Sequence, residues 1–200
     1  MNHTGGHFIC AMSSSDRQRW DEKYAAKVPV QELAPDGWLT EQLAASKPGR
    51  ALELACGLGH NAIWLARQGW QVDAVDVSAV GLARAKESAD ACGVNVHWIV
   101  SDIDEFIPAP EKYDLAVVFR FLDRVRLPAL IQQALRPGGL LIYETFTTAH
   151  LARPSSHMKN PAFALECGEL PRLFPQFDVV SYADCPLADR DVARFVGKKC

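Results

Sequence analysis

"LELACGLGHNAIWLARQGWQVDAVD", residues 52–76, decides the fold of this chain. A short apolar run leads into a glycine-rich turn, and a helical pattern, "HNAIWLARQG", follows and stops at Gly69. Glycine is a common helix terminator because it adopts the left-handed backbone without a Cβ penalty. A second β-rich run, "WQVDAVDV", comes next, so strand, helix and strand form one βαβ unit. Outward from this stretch the alternation continues. "RALELA" (50–55) is the first strand, and Ser78 caps a helix through Ala91 that Gly93 ends. "NVHWIV" (95–100) and "YDLAVVF" (113–119) are the third and fourth strands. A helix over residues 128–135 runs into the turn "RPGG", and "LLIYETF" (140–146) is the fifth strand. Strands alternating with helices predict right-handed crossovers and a doubly wound, mostly parallel α/β sheet.

The flanks differ from this core. Residues 1–15 are polar and contain glycine and serine, so they are expected to be disordered, with Met12 an alternative start. "DRQRWDEKYAAK", from Asp16, suits a helix with Trp20 and Tyr24 four residues apart. Pro29 and Pro35 end it, and Asp36 can cap a second helix over residues 37–46. Residues 147–165 read as a long polar loop, followed by a short helix in "GELPRLF". "FDVVSYADC" and "DVARFVGKK" then read as strands with no full helix between them, which predicts an antiparallel C-terminal pair at one sheet edge. The expected result is a seven-stranded sheet in one domain over residues 16–200.

Composition narrows the function. Of 200 residues, 48% are hydrophobic and 22% charged, and the formal charge is −3. Such a balance gives no electrostatic case for a nucleic-acid or membrane partner. No apolar run approaches the roughly 20 residues that span a bilayer, and "MNHTGGHFICAM" lacks the features of a signal peptide. A cytoplasmic location is the expectation. The six cysteines, at 10, 56, 92, 167, 185 and 200, form no C-x-x-C pair, and no metal site is expected. Cys56 and Cys92 read as small buried hydrophobes.

The glycine turn sits at the carboxyl end of the first strand, where ligands collect in sheets of this kind. Gly57 and Gly59 let backbone approach a ligand, and Asn61 can cap the helix that follows. Asp76, 19 residues beyond Gly57, can accept from both hydroxyls of a ribose. Gly57, Gly59 and Ala62 also match the dinucleotide pattern G-x-G-x-x-A. Glu53 opposes that reading, because a carboxylate beside the turn repels a pyrophosphate and attracts an ammonium. Asp102, after the third strand, can accept from an adenine amino group, with Val77 and Ile103 against the ring faces. An amino acid, a ribose and an adenine in that order make S-adenosylmethionine.

The motifs "LELACGLGHNA", "VDAVDVS", "VSDIDEF", "YDLAVVFRFL" and "LRPGGLLIYETF" resemble those of class I S-adenosylmethionine-dependent methyltransferases, in order and spacing, over residues 16–199. Within that superfamily, "RWDEKYA" and "CGLGHNAIWLARQGWQVDAVDVS" are similar to the small tellurite-resistance-type bacterial enzymes. The resemblance implies a Rossmann-like methyltransferase fold. It also implies cofactor contacts from Glu53, Gly57, Gly59, Asp76, Asp102 and Ile103, with Phe119 and Arg120 lining the methionine end. Cys56, Asn61 and Val77 are counted with that set, as is Tyr24 if the N-terminal helix closes over the cofactor. Glu53 stands where many members carry Asp.

For the acceptor, the expected pocket lies between the N-terminal helix, residues 120–123 and the 146–165 loop, which reads as a lid. Arg120 either pairs with Asp123 at the rim or meets an anionic substrate. His150, His157 and Lys159 are loop residues with a possible substrate contact, and no catalytic residue is assigned. Without a conspicuous base, a small soft nucleophile (a thiol, or a selenium or tellurium oxyanion) is favoured. The alternatives are a protein or RNA acceptor, an NAD-binding oxidoreductase, or a cofactor-binding protein without catalysis. The oligomeric state is open.

Overall fold

The computed structural model describes residues 13–26 and 34–200. Its elements run α1 (Ser13–Ala25), α2 (Gly37–Gln42), β1 (Arg50–Leu54), α3 (His60–Arg67), β2 (Gln71–Asp76), α4 (Ala79–Ala91), β3 (His97–Val100) and β4 (Tyr113–Phe119). They continue as α5 (Arg126–Ala134), β5 (Leu135–Phe146), α6 (Thr148–Leu151), α7 (Glu169–Leu173), β6 (Phe177–Pro186) and β7 (Asp191–Lys199). The seven strands form one sheet in the order β3-β2-β1-β4-β5-β7-β6. The first five pair in parallel, and β7 lies antiparallel to both β5 and β6. This is the sheet the sequence leads one to expect.

Alternation along the strands assigns the two faces. Leu52 and Leu54 of β1 and Ala116 and Val118 of β4 pack on one face, with Leu127, Leu130 and Ile131 of α5 and Leu170 of α7. Ala51, Leu115 and Val117 turn to the other, against Leu39 of α2, Ala62 and Leu65 of α3, and Leu82 of α4. Both faces of the central strands are therefore covered, which is why β1, β2 and β4 read as nearly continuous apolar runs.

Several boundaries differ from expectation. α1 starts at Ser13, so the segment expected to be disordered overlaps a helix by three residues, and its remainder lies outside the described residues. α2 stops at Gln42, although Asp36 caps it as expected, its side chain accepting from the Trp38 N–H at 3.0 Å. β5 begins at Leu135 because Leu135 already pairs with Tyr113; the next partners are Leu140 and Leu115, so "RPGG" bulges out of the ladder instead of preceding it. The 147–165 segment is partly ordered, by α6, a 3₁₀ turn at Pro161–Phe163 and a bridge between Thr147 and Leu165. Cys56 is buried as expected, but Cys92 is exposed, because it follows the last turn of α4 on its solvent side.

Candidate functional site

The strand order reverses between β1 and β4, and a cleft of about 1510 Å³ opens at their carboxyl ends. A single small-ligand pocket is roughly 300–1,000 Å³, so the cleft has room for two ligands. Eleven of the twelve expected contact residues line it: Tyr24, Glu53, Cys56, Gly57, Asn61, Asp76, Val77, Asp102, Ile103, Phe119 and Arg120.

Gly59 is the exception. A Cβ there would come within 2.5 Å of the Trp98 ring and 3.0 Å of the Ala85 methyl, so its bare backbone lets α3 and the turn pack against β3 and α4. Its φ of 70° also requires glycine's freedom.

Glu53 is almost fully buried. Its Oε1 accepts from Asn61 Nδ2 at 3.2 Å, while Oε2 has no hydrogen-bond partner. Burial pushes this carboxyl up to about 8, with the nearby Asp76 adding a little and the Asn61 amide and Ala62 N–H opposing. An orphaned carboxylate oxygen in the floor of a cleft is costly to keep, and a cationic partner would satisfy it. Asn61 was expected to cap α3 and does not. It lies inside the first turn, Gly59 takes the cap position, and the Asn61 amide instead bridges Glu53 to the Asp36 N–H, 2.9 Å away.

Asp76 accepts from the Gly57 N–H at 2.7 Å and the Ser78 N–H at 2.9 Å, one on each oxygen. Burial raises its carboxyl above the ordinary range, although these backbone donors favour the charged form. Each oxygen keeps lone-pair capacity for a further donor. Asp102 Oδ1 accepts from the Asp104 N–H at 3.0 Å, which fixes its carboxylate at the cleft wall. The buried Tyr24 reaches over the turn, so a Cβ on Gly57 would meet its hydroxyl at 2.7 Å, and Trp20 stacks on it at 5.5 Å. Both aromatics line the cleft. Burial, with Glu53 and Asp76 nearby, drives the Cys56 thiol well above its usual value, so it is an inert neutral group.

Ala55 holds a φ of 54°, a left-handed conformation that motif reading did not anticipate. Arg120, at 57°, is likewise left-handed, and its N–H donates to the Glu144 carbonyl at 2.8 Å. Its guanidinium pairs with Asp36 at 2.9 Å, not with Asp123, whose carboxylate is taken by the Val125 and Arg126 N–H groups.

The other half of the cleft holds His150 and His157, which the sequence singled out, and Phe146, Phe163, Met158 and Arg190, which it did not. His150 stacks on Phe146 at 4.5 Å, and its Nδ1 accepts from the Asp191 N–H at 3.4 Å. The 146–165 segment is the only one of these with a sequence signal, its length; Lys159 of that segment is not in the lining. No group of acidic, His or Cys side chains suited to a metal exists among the described residues. No helix among them is long and apolar enough to cross a membrane.

A family profile described as "Methyltransferase domain" matches residues 51–139, from β1 to the end of the "RPGG" turn. The chain is 36% identical over 104 residues to ribosomal RNA small subunit methyltransferase C of Alcanivorax borkumensis, covering 48% of this chain and 31% of that one. It is 33% identical over 146 residues to the ubiquinone biosynthesis O-methyltransferase of Serratia proteamaculans, covering 70% and 61%. It is 28% identical to the probable S-adenosyl-L-methionine-dependent methyltransferase TehB of Haemophilus influenzae, covering 68% and 48%. A crystal structure of TehB from that species shares the fold, with a TM-score of 0.67 at 20% identity over 90% of this chain and 67% of that one. The chain spans between 31% and 61% of the length of these curated relatives. With a seven-stranded sheet reversed at its last strand, and acids on both sides of the glycine turn, the chain carries a methyltransferase domain over residues 51–139 and is similar in sequence and fold to S-adenosylmethionine-dependent methyltransferases.

Proposed function

We propose that this chain transfers a methyl group from S-adenosylmethionine to a small-molecule acceptor held beside residues 120–123, Phe146 and His150. The observation that carries the reading is Glu53 Oε2, a buried carboxylate oxygen without a partner at the floor of the cleft. A nicotinamide dinucleotide offers no ammonium to that oxygen; the methionine end of S-adenosylmethionine does.

The residues fit the cofactor in detail. Glu53 takes the ammonium, the free lone pairs of Asp76 take the ribose hydroxyls, and Asp102 takes the adenine amino group between Val77 and Ile103. Tyr24 and Trp20 cover the ligand and exclude water. The cofactor supplies a methyl group already activated on a sulfonium. The chain's task is then alignment, which recovers roughly 7–11 kcal/mol of a barrier in the best cases. His150 is poorly set up as a base: Nδ1 accepts from a backbone N–H, so the neutral ring carries its proton on Nε2 and can only donate there. This supports an acceptor that is already ionised or soft at neutral pH, such as a thiolate or an oxyanion. A cytoplasmic location belongs with this reading, and the free thiols of Cys56, Cys92, Cys167, Cys185 and Cys200 suit it.

The test is release of S-adenosylhomocysteine across thiols, selenite, tellurite, phenols, amines and carboxylates. Turnover with a small acceptor is expected. The likeness to a ribosomal RNA enzyme favours one other arm, so RNA belongs in the same assay. Turnover on RNA alone overturns the small-acceptor reading, and no turnover on any acceptor leaves a cofactor-binding protein. Asp76→Ala is expected to weaken S-adenosylhomocysteine at least tenfold in calorimetry, losing charge-assisted bonds of about 1.5–3 kcal/mol each. Near-unchanged affinity would sink the ribose assignment.

A further inference from the structure

Two arginines, one just after β4 and one just before β7, converge on one carboxylate oxygen in the cleft. Arg120 Nη2 lies 2.9 Å from Asp36 Oδ2, and Arg190 Nη2 lies 3.3 Å from the same atom. Asp36 Oδ2 accepts from both, while its Oδ1 accepts from the Trp38 N–H. Arg190 also faces the buried Glu144, its Nε 3.4 Å from Glu144 Oε1, yet neither atom has a hydrogen-bond partner. Glu144 is engaged on its other oxygen by Arg194 at 2.8 Å. Three guanidiniums, of Arg120, Arg190 and Arg194, therefore face two buried carboxylates, those of Asp36 and Glu144. Asp189 also pairs with Arg190, at 2.9 Å, so the charges balance in number, but Arg190 Nε is left as a buried donor without a hydrogen-bond partner.

Two further observations direct these guanidiniums at a ligand. Arg120 is held in the left-handed backbone region by the Glu144 carbonyl, a strain that a merely solvated side chain does not require. The residue after Arg190 anchors His150, which stacks flat on Phe146, so a planar aromatic wall lines the same cleft as the two arginines.

Resting on the methyltransferase reading, we propose that Arg120 and Arg190 form the anion-recognition subsite for an acceptor with a flat apolar body and a carboxylate. The carboxylate takes the second donors of the two guanidiniums, displacing part of their contact with Asp36. The ring lies along Phe146 and His150, and the reacting atom projects toward the methionine end of the cofactor. Arg's planar fork suits this recognition better than a lysine would.

The probes are benzoate and benzamide, titrated by calorimetry into the protein saturated with S-adenosylhomocysteine. Benzoate is expected to bind at least about tenfold more tightly, the scale of a charge-assisted hydrogen bond set against a neutral one. Arg120→Gln is expected to cut that preference to below about threefold, with Arg120→Lys restoring part of it. In turnover, 3-mercaptobenzoate is expected to exceed its amide in kcat/KM, with the Arg120→Gln loss carried by KM. Benzoate that fails to bind, binds no better than benzamide, or keeps its preference in Arg120→Gln overturns the proposal. If S-adenosylhomocysteine itself does not bind, the fault lies with Glu53 and Asp76 and the methyltransferase reading falls; if it binds without anion preference, only the arginine subsite falls.

Discussion

Glu53 joins folding to ligand binding through a proton. Its carboxyl sits at about 8 in the folded chain, against 4.5 as its ordinary value. Between those two pH values the folded protein holds more protons than the unfolded one, so this group makes stability fall as pH rises through the window. An ammonium placed on Oε2 favours the ionised form. Binding S-adenosylhomocysteine near pH 7 should therefore release up to one proton, and affinity should climb from pH 6 toward 8 and then level. Calorimetry in buffers of different ionisation heat reads both, and a pH-independent affinity without proton release contradicts the assignment. Glu53→Gln should remove the pH slope and weaken binding at least tenfold. Gly59 allows a contrasting test. Gly59→Ala should cost roughly 2–4 kcal/mol of stability, from overpacking against Trp98 and a left-handed alanine. Chemical denaturation measures this; a loss below about 0.5 kcal/mol would mean that the packing assignment is wrong.

At the scale of elements, α1 is tied to the rest by a few polar and aromatic contacts. Asp21 Oδ1 accepts from Ser78 Oγ at 2.5 Å and from the Val80 N–H at 3.2 Å, which sets its charge at the amino end of α4. A carboxylate there satisfies an orphan donor and complements the helix dipole. Tyr24 packs alongside, where a Cβ on Gly81 would come within 2.8 Å of its ring. Asp21→Ala should remove about 1 kcal/mol of docking. Hydrogen exchange in α1 should speed up about fivefold, and cofactor affinity should drop a few-fold because Tyr24 covers the turn. Unchanged exchange in α1 would show that Asp21 does not hold it. The helix itself was legible in "DRQRWDEKYA", but its docking partner was not, because Asp21 and Ser78 are separated by 57 residues.

Across the whole molecule, a ligand that binds only the folded state stabilises it by about 2.7 kcal/mol at one hundred times its Kd. For a domain of this size that amounts to roughly 5–10 °C in the thermal midpoint. S-adenosylhomocysteine is expected to produce such a shift and NAD none; the reverse pattern would restore the oxidoreductase reading. The half of the cleft around the glycine turn was readable from the chain because one βαβ unit builds most of it. Strand ends at Glu53 and Asp76 and the turn between them are close in sequence, so motif and spacing carry their geometry. Periodicity likewise sufficed for the sheet, including its antiparallel end. The other half was legible only in part: residues 120–123 and the 146–165 segment with His150 and His157 were expected there and line the cleft, but Arg190 was not, since it meets Asp36 across 154 residues. Nor does a motif distinguish Gly57, whose backbone faces the cleft under Tyr24, from Gly59, whose missing side chain makes room for Trp98. By itself the sequence determined the fold and pointed to the methyl donor proposed above, since both readings rest on local pattern. Tertiary structure alone decided which charges share one carboxylate and which wall stands beside them, since long-range packing sets side-chain proximity and no local pattern records it.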